Sequence, residues 1–573
     1  MEPLNAITRT ERASSRHTPL RRGVRLVPSR GLEIGAILVI GVAAAIRVAL
    51  IVQGWPPLNS DEATNGLMAL HIVSRGELPI FVYGQAYVGA IEAYLAATLF
   101  WLFGPSDVAL RAGAVTLYAL FLGALYLLAR LLYDRTVALV SIAVLSLGSP
   151  EMLSRQLEAS GGYMEMLVCA TIAFVLACWL VLSSPSARSR ARLAAYLGVG
   201  LAWGLGIWSH PIVLALLPPS AILLLVARRD ELRTRAPLFL LAGLVGGLLP
   251  VILNDLSTFP HHTTIGTLFG LYGAGGTGAT TVRAGLDRRL GGGLLVGFPL
   301  FTGGWQICNL AAPQPWPLPS HPGPHTVLCT EVHGAWTGGF VATWAIAVAG
   351  TLAALRRRPL AGRANGARRT EQARAACRLA VLSAAGLTIL LYVLSAGPAI
   401  APRPSARYLV DLWIAVPCLV AVLLSPCSLT RRMPLLRSAK IALVGGLLVV
   451  MALDTVDAFG QIPYMQWQTW EQHALISHLE RLGATRIYTD YWTCYRTIYQ
   501  SRERILCAVL DEHLRPGEDR YPAYRTAVQR DPNASYVFPL HTPYALAISR
   551  YLAHARRRYR RYELNYYVVY VPA

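Results

Sequence analysis

The feature that most constrains this chain is a series of apolar runs, each about as long as a bilayer is thick. A helix crossing about 30 Å of hydrocarbon needs about 20 apolar residues, fewer if it tilts or ends early. Such runs lie near 33–53, 108–130, 137–151, 163–182, 195–209, 211–227, 238–254, 335–354, 377–396, 407–425 and 439–456. They predict an all-α polytopic membrane protein with about eleven spans. With 54% hydrophobic and 14% charged residues over 573 positions, an ordinary soluble globule is excluded. A net charge of +21 would suit a nucleic-acid partner, but the arginines do not form a stripe. They sit in short clusters between apolar runs, which excludes nucleic acid as the partner and reads as orientation signals. Lys440 is the only lysine, an Arg bias that fits a high-GC bacterial genome.

Alternating the spans brings the basic clusters 21–25, 130–135, 186–192, 228–235, 356–358, 368–378 and 431–437 to one side, which the positive-inside rule makes cytoplasmic. Residues 1–32 then form a basic cytoplasmic tail without the apolar core of a signal peptide. Residues 33–456 form the transmembrane domain, with outer loops 54–107, 255–334 and 397–406. Within the first loop, 88–103 carries Glu92 and is too short to span, so it reads as an interfacial or re-entrant helix. Residues 457–573 differ in composition: polar helical stretches alternate with short apolar runs at 486–490, 505–510, 534–540 and 565–571. That pattern predicts a small extracytoplasmic α/β domain. Asp490, Tyr491 and Trp492 follow its first strand, where such domains often bind ligands; a packed strand end is the plainer reading.

Two adjacent carboxylates, Asp61 and Glu62, stand at the outer membrane surface in "NSDEATNG" (59–66). A local account exists: Asn59 caps a helix and Glu62 completes a capping box. It leaves unexplained the downstream pattern of Gly76, Pro79, Gly84, Tyr87, an apolar helix ending at Leu102–Gly104, and Arg111 opening the next span. This order resembles the first outer loop of family 39 glycosyltransferases, the protein O-mannosyltransferase and aminoarabinose transferase type with the GT-C membrane fold. The resemblance covers roughly 50–190 and returns at "SARYLVDLWIAVP" (405–417).

The resemblance implies transfer of a sugar, with inversion, from a polyprenyl-phosphate donor to a glycan, lipid or protein acceptor on the outer face of the bacterial inner membrane. It implies Asp61 as general base with Glu62 as its catalytic companion. It further implies Gln85, Tyr87 and Glu158 as substrate contacts, with Glu165 as an alternative to Glu158. Leaving-group charge on the lipid phosphate calls for cations, and Arg407 and Arg403 lie on the predicted outer side against the positive-inside trend. No organic cofactor is implied, and a divalent metal is left open. His261, His262, His321, His325 and His333 fall on outer loops without ligand spacing. Two other classes stay in view: a transporter or flippase, for which Arg47 is the one intramembrane charge to consider, and a non-catalytic scaffold.

Cysteine placement tests the topology. Cys308 with Cys329 and Cys494 with Cys507 share outer segments where disulfides can form, whereas Cys169, Cys178, Cys377, Cys418 and Cys427 lie in or beside spans. After reduction, an impermeant thiol reagent applied to intact cells should label Cys308 and Cys494. Labelling of a cysteine introduced by Ala361→Cys instead would reverse the orientation.

Overall fold

The computed structural model describes residues 30–184, 189–259, 263–272, 285–308, 322–356, 364–424, 434–554 and 558–573. The tail up to residue 29, the glycine-rich stretch 273–281, His261, His262, His321 and Cys427 lie outside the described residues. The chain opens with the spanning helix α1 (Arg30–Val52) and a loop helix, α2 (Ser60–Arg75). A hairpin of β1 (Phe81–Val82) and β2 (Gln85–Gly89) follows, then the short helix α3 (Ile91–Phe103) and the span α4 (Asp107–Leu132). Next come α5 (Arg135–Ser146), α6 (Pro150–Leu157) and α7 (Tyr163–Leu182).

Among the described residues nine helices are long and apolar enough to cross a membrane. The other two expected crossings are helical but not straight spans. The run near 137–151 is the start of the pair α5 and α6, bent by 91°. The run 211–227 is a 3₁₀ turn joined to a short helix, Leu217–Ala227. Pro150 explains the bend: it has no N–H to donate backwards and suits the first turn of a new helix, which Ser149 caps through Met152 N at 3.3 Å. As expected, α3 is too short to span.

The bend exposes carbonyls inside an apolar bundle, where each needs a partner. Arg47 supplies them. Buried on α1, it donates to Ser146 O at 2.5 Å, Leu145 O at 3.2 Å and Ala43 O at 3.0 Å, and its Nε reaches Gln156 Oε1 at 3.1 Å. The Tyr118 hydroxyl also donates to Leu145 O. Arg47 is therefore a structural plug for a broken helix, and the charge that a transporter reading would use is already engaged.

Helices Ser189–Ser209 and Ala236–Thr258 pack backbone to backbone. A Cβ on Gly200 would meet Leu240 O at 1.9 Å, and one on Gly243 would meet Leu197 O at 2.0 Å. With Gly204 facing Gly247, this is small-residue packing of the kind that replaces the hydrophobic effect between helices in lipid.

The C-terminal sheet contains β3 (Arg486–Thr489), β4 (Leu506–Val509), β5 (Ser535–Pro539), β6 (Tyr559–Glu563) and β7 (Tyr567–Pro572), in the order β4-β3-β5-β7-β6. Its first three strands are parallel and the last two pair antiparallel. Four of the five were expected. The fifth, β6, carries Arg560, Arg561 and Glu563 and forms a charged sheet edge of the kind that discourages further pairing. Cys494–Cys507 ties helix Tyr491–Gln500 to β4, and Cys308–Cys329 links the segment after Thr302 to helix Pro324–Arg356. The α/β domain does not stand apart. Its core residues Leu475, Ile487, Tyr495 and Ile498 form one apolar cluster with Leu58, Ala63 and Leu67 of the first loop and Leu110 of α4.

Candidate active site

Asn59 has extended backbone, and its side chain accepts from Glu62 N at 2.9 Å, so α2 starts where the local account places it. Glu62 does not reach back to complete the box. It is fully buried and forms a bidentate pair with Arg111: Nε to Oε1 at 2.6 Å and Nη2 to Oε2 at 2.7 Å. Arg111 Nη1 donates to Pro56 O at 2.7 Å, and Ala159 N donates to Glu62 Oε1 at 3.3 Å. Four chain segments therefore meet at one carboxylate. Successive helical residues are about 100° apart, so with Glu62 turned inward its neighbour Asp61 faces the α/β domain.

There Asp61 Oδ1 accepts from Arg520 Nη2 at 2.7 Å and from the Tyr491 hydroxyl. Arg520 lies in the loop before helix Pro522–Gln529 and is 5% exposed. Its Nε donates to the Tyr491 oxygen at 2.9 Å, and its backbone N–H donates to the Tyr495 hydroxyl oxygen at 2.6 Å. With the Gln85 amide oxygen turned to the guanidinium, it accepts from Nη1 at 2.7 Å and Nη2 at 3.1 Å. The hairpin makes this approach feasible through Gly84. Its φ of +72° suits the two-residue turn, and a Cβ there would press within 3.0 Å of Arg520 Cα.

The other expected residues are distributed as follows. Tyr87 packs beside the apolar cluster of Met68, Val82 and Val88. Glu158 ends α6 and pairs with Arg155 at 3.0 Å. Glu165 is buried against Glu92, whose Oε2 accepts from Gly161 N at 2.7 Å. Arg407 begins a ten-residue 3₁₀ segment, Ala406–Ala415, within electrostatic reach of Tyr163, Tyr408 and Asp61. No described carboxylate comes within ion-pair distance of it, and its buried Nε has no hydrogen-bond acceptor among the described residues. Arg403 stacks its guanidinium 5.1 Å from the Trp305 ring, which itself stacks on His333. Asp490 caps its helix by accepting from Trp492 N and Thr493 N, while Tyr491 reaches across to Asp61.

Among the described residues, the carboxylates Glu62 and Glu158 of the sequence-expected set are engaged by arginines. Ligand atoms of Cys308, His325 and Cys329 come within 4.8 Å of one another, but the two sulfurs are bonded to each other.

A second polar hub holds the domain on α2. Glu503 Oε1 faces His71 Nε2 at 3.2 Å and accepts from the Tyr524 hydroxyl at 2.8 Å and from Arg75. Ser60 Oγ sits 2.7 Å from Tyr491 O, and Gly66 leaves room for the Tyr499 ring, which a Cβ would meet at 2.5 Å. Sequence reasoning did not find Arg520 or Glu503. Tyr491 alone had a signal, its place after a strand.

Taken together, the described residues form a bundle of apolar helices with a partly exposed carboxylate, Asp61, at the head of α2 and Arg407 within electrostatic reach of it. Residues 90–253 match the family model described as dolichyl-phosphate-mannose-protein mannosyltransferase, in line with the family 39-like resemblance. Among solved structures the chain is similar to ArnT from Cupriavidus metallidurans bound to undecaprenyl phosphate, at 14% identity over 93% of this chain and 97% of that one, with a TM-score of 0.45. It is also similar to the Archaeoglobus fulgidus oligosaccharyltransferase in complex with Zn and sulfate, at 14% identity over 93% and 72%, with a TM-score of 0.49. A search of curated proteins finds no match.

The hub predicts an acid-sensitive domain contact. The hydrogen bond from His71, with those from Tyr524 and Arg75, pulls the Glu503 carboxyl down to about 2 from an ordinary 4.5. A depressed carboxyl contributes stability that is complete above about pH 4.5 and is lost as pH falls through about 2. Thermal unfolding in detergent should therefore show wild type losing stability below pH 4.5 more steeply than Glu503→Gln. Parallel curves for the two proteins would remove Glu503 from the docking contact.

Proposed function

We propose that this chain is an inverting glycosyltransferase that takes a sugar from a polyprenyl-phosphate donor and passes it to an acceptor on the outer face of the bacterial inner membrane, with Asp61 as general base. The carrying observation is a pairing of chemistries: a partly exposed carboxylate at the head of α2, and Arg407, without a carboxylate partner among the described residues, within electrostatic reach of it. The family match over 90–253 supports the reaction class. Both disulfides suit segments facing an oxidising compartment, which supports an outer location for the α/β domain.

In this reading the acceptor oxygen attacks the anomeric carbon from the face opposite the phosphate. The carbon–oxygen bond to the donor phosphate breaks, and its electron pair stays on the phosphate oxygen. The acceptor proton passes to Asp61 as the new bond forms. Arg407 binds the phosphate as its charge grows, and a guanidinium fork does this better than a point charge. Arg403, held over Trp305, adds positive potential. Glu62 orients α2 through Arg111 and does not touch the reacting atoms.

Transfer from a radiolabelled polyprenyl-phosphate sugar by purified protein tests this. Asp61→Asn should keep its thermal stability and lose about 10²–10⁴-fold in turnover. Arg407→Ala should weaken donor binding more than Arg407→Lys does. A stable Asp61→Asn protein with near wild-type turnover means the base lies elsewhere.

A further inference from the structure

We propose that Arg520, delivered by the C-terminal domain, is a positioning residue for Asp61 that assigns the two carboxylate oxygens to different jobs. The inference rests on Asp61 being the base. Oδ1 accepts from both Arg520 Nη2 and Tyr491, whereas Oδ2 has no hydrogen-bond partner among the described residues, on a side chain that is 21% exposed. A carboxylate with one oxygen saturated and the other open presents a single proton-accepting atom in a fixed direction. That is the geometry general-base catalysis requires.

Arg520 is built for the task. It is buried, its backbone N–H is held by Tyr495, its Nη1 is held by Gln85 and its Nε by Tyr491. Three separate elements, α2, the hairpin and the α/β domain, converge on one guanidinium. A rigid planar fork fixed at three corners transmits orientation in a way a lysine ammonium would not. Docking of the domain does not depend on it, because Ser60, the Glu503 hub and the shared apolar core hold the same face. The α/β domain is thus part of the catalytic apparatus of the membrane domain.

The test uses full-length protein in liposomes of the cell's own lipid extract, with a radiolabelled polyprenyl-phosphate hexose as donor and release of polyprenyl phosphate as readout. Arg520→Gln should lower turnover up to about 100-fold, the scale of a 1 Å misplacement, with the donor KM within about twofold. Arg520→Lys should recover part of the loss, and added guanidinium should partly restore Arg520→Ala. In the Asp61→Asn background Arg520→Gln should cost nothing more, since a residue acting only through Asp61 cannot act twice. If the Arg520 variants fail to fold, Tyr491→Phe removes one bond to Oδ1 while keeping the ring, and should lower turnover with KM unchanged. Wild-type turnover in a folded Arg520→Gln or Tyr491→Phe protein, with Asp61→Asn showing its expected loss, overturns the inference and leaves the base assignment standing. A full further loss in the Asp61→Asn background also overturns it. Near wild-type turnover in Asp61→Asn itself would instead bring down the underlying reading.

Discussion

The buried pair between Glu62 and Arg111 joins the start of α2 to the start of α4, and through Pro56 O and Ala159 N it draws in the exit of α1 and the end of α6. Such a pair is a poor source of net stability, since desolvating two charges offsets much of their attraction. Losing one partner is another matter, at about 3–5 kcal/mol, because the remaining charge is stranded. The pair therefore works as a registration device: only one rotation of α2 satisfies both oxygens of Glu62. That rotation turns Asp61 about 100° away, toward the α/β domain, so the position of the proposed base follows from where its neighbour is buried.

The same octapeptide serves a second purpose. Ser60 meets the carbonyls of Tyr491 and Trp492, Asn65 donates to Ala159 O at 2.9 Å, and Gly66 admits the Tyr499 ring. Local capping and site chemistry are thus not rival explanations of "NSDEATNG". Asn59 starts the helix, Glu62 fixes its rotation, Ser60 and Gly66 receive the domain, and Asp61 is left partly exposed.

Much of the architecture could be read directly from the chain because span length and arginine placement are one-dimensional properties. The eleven apolar segments, the short helix at 91–103 and four strands of the terminal sheet all follow from run length and period. What escaped depends on long-range geometry. The hairpin around Gly84 is signalled by only two turn residues, Tyr83 and Gly84. The bend between α5 and α6 falls where the apolar run gives out, at Gly148–Pro150, and Pro150 looks equally at home at a span's end. Arg520 sits 459 positions from Asp61 in a loop with no periodic pattern, and nothing local marks it. The resemblance sets Glu62 beside Asp61, whereas its burial against Arg111 depends on a partner 49 positions away that the local sequence does not mark.

A base that serves a lipid-linked donor must sit where the phosphate sits, at headgroup level, and that level is short of protein polar groups. At the start of α4, Arg111 is already occupied by both oxygens of Glu62. Arg155 is committed to Glu151 and Glu158 in the same way. The hydrogen-bond donors that Asp61 has among the described residues, Arg520 Nη2 and the Tyr491 hydroxyl, both come from the α/β domain. A domain outside the apolar helices can bring a buried guanidinium to a carboxylate without placing either in hydrocarbon, where a lone charge is costly. If Asp61 is the proposed base, the domain shares with the bundle the task of orienting it.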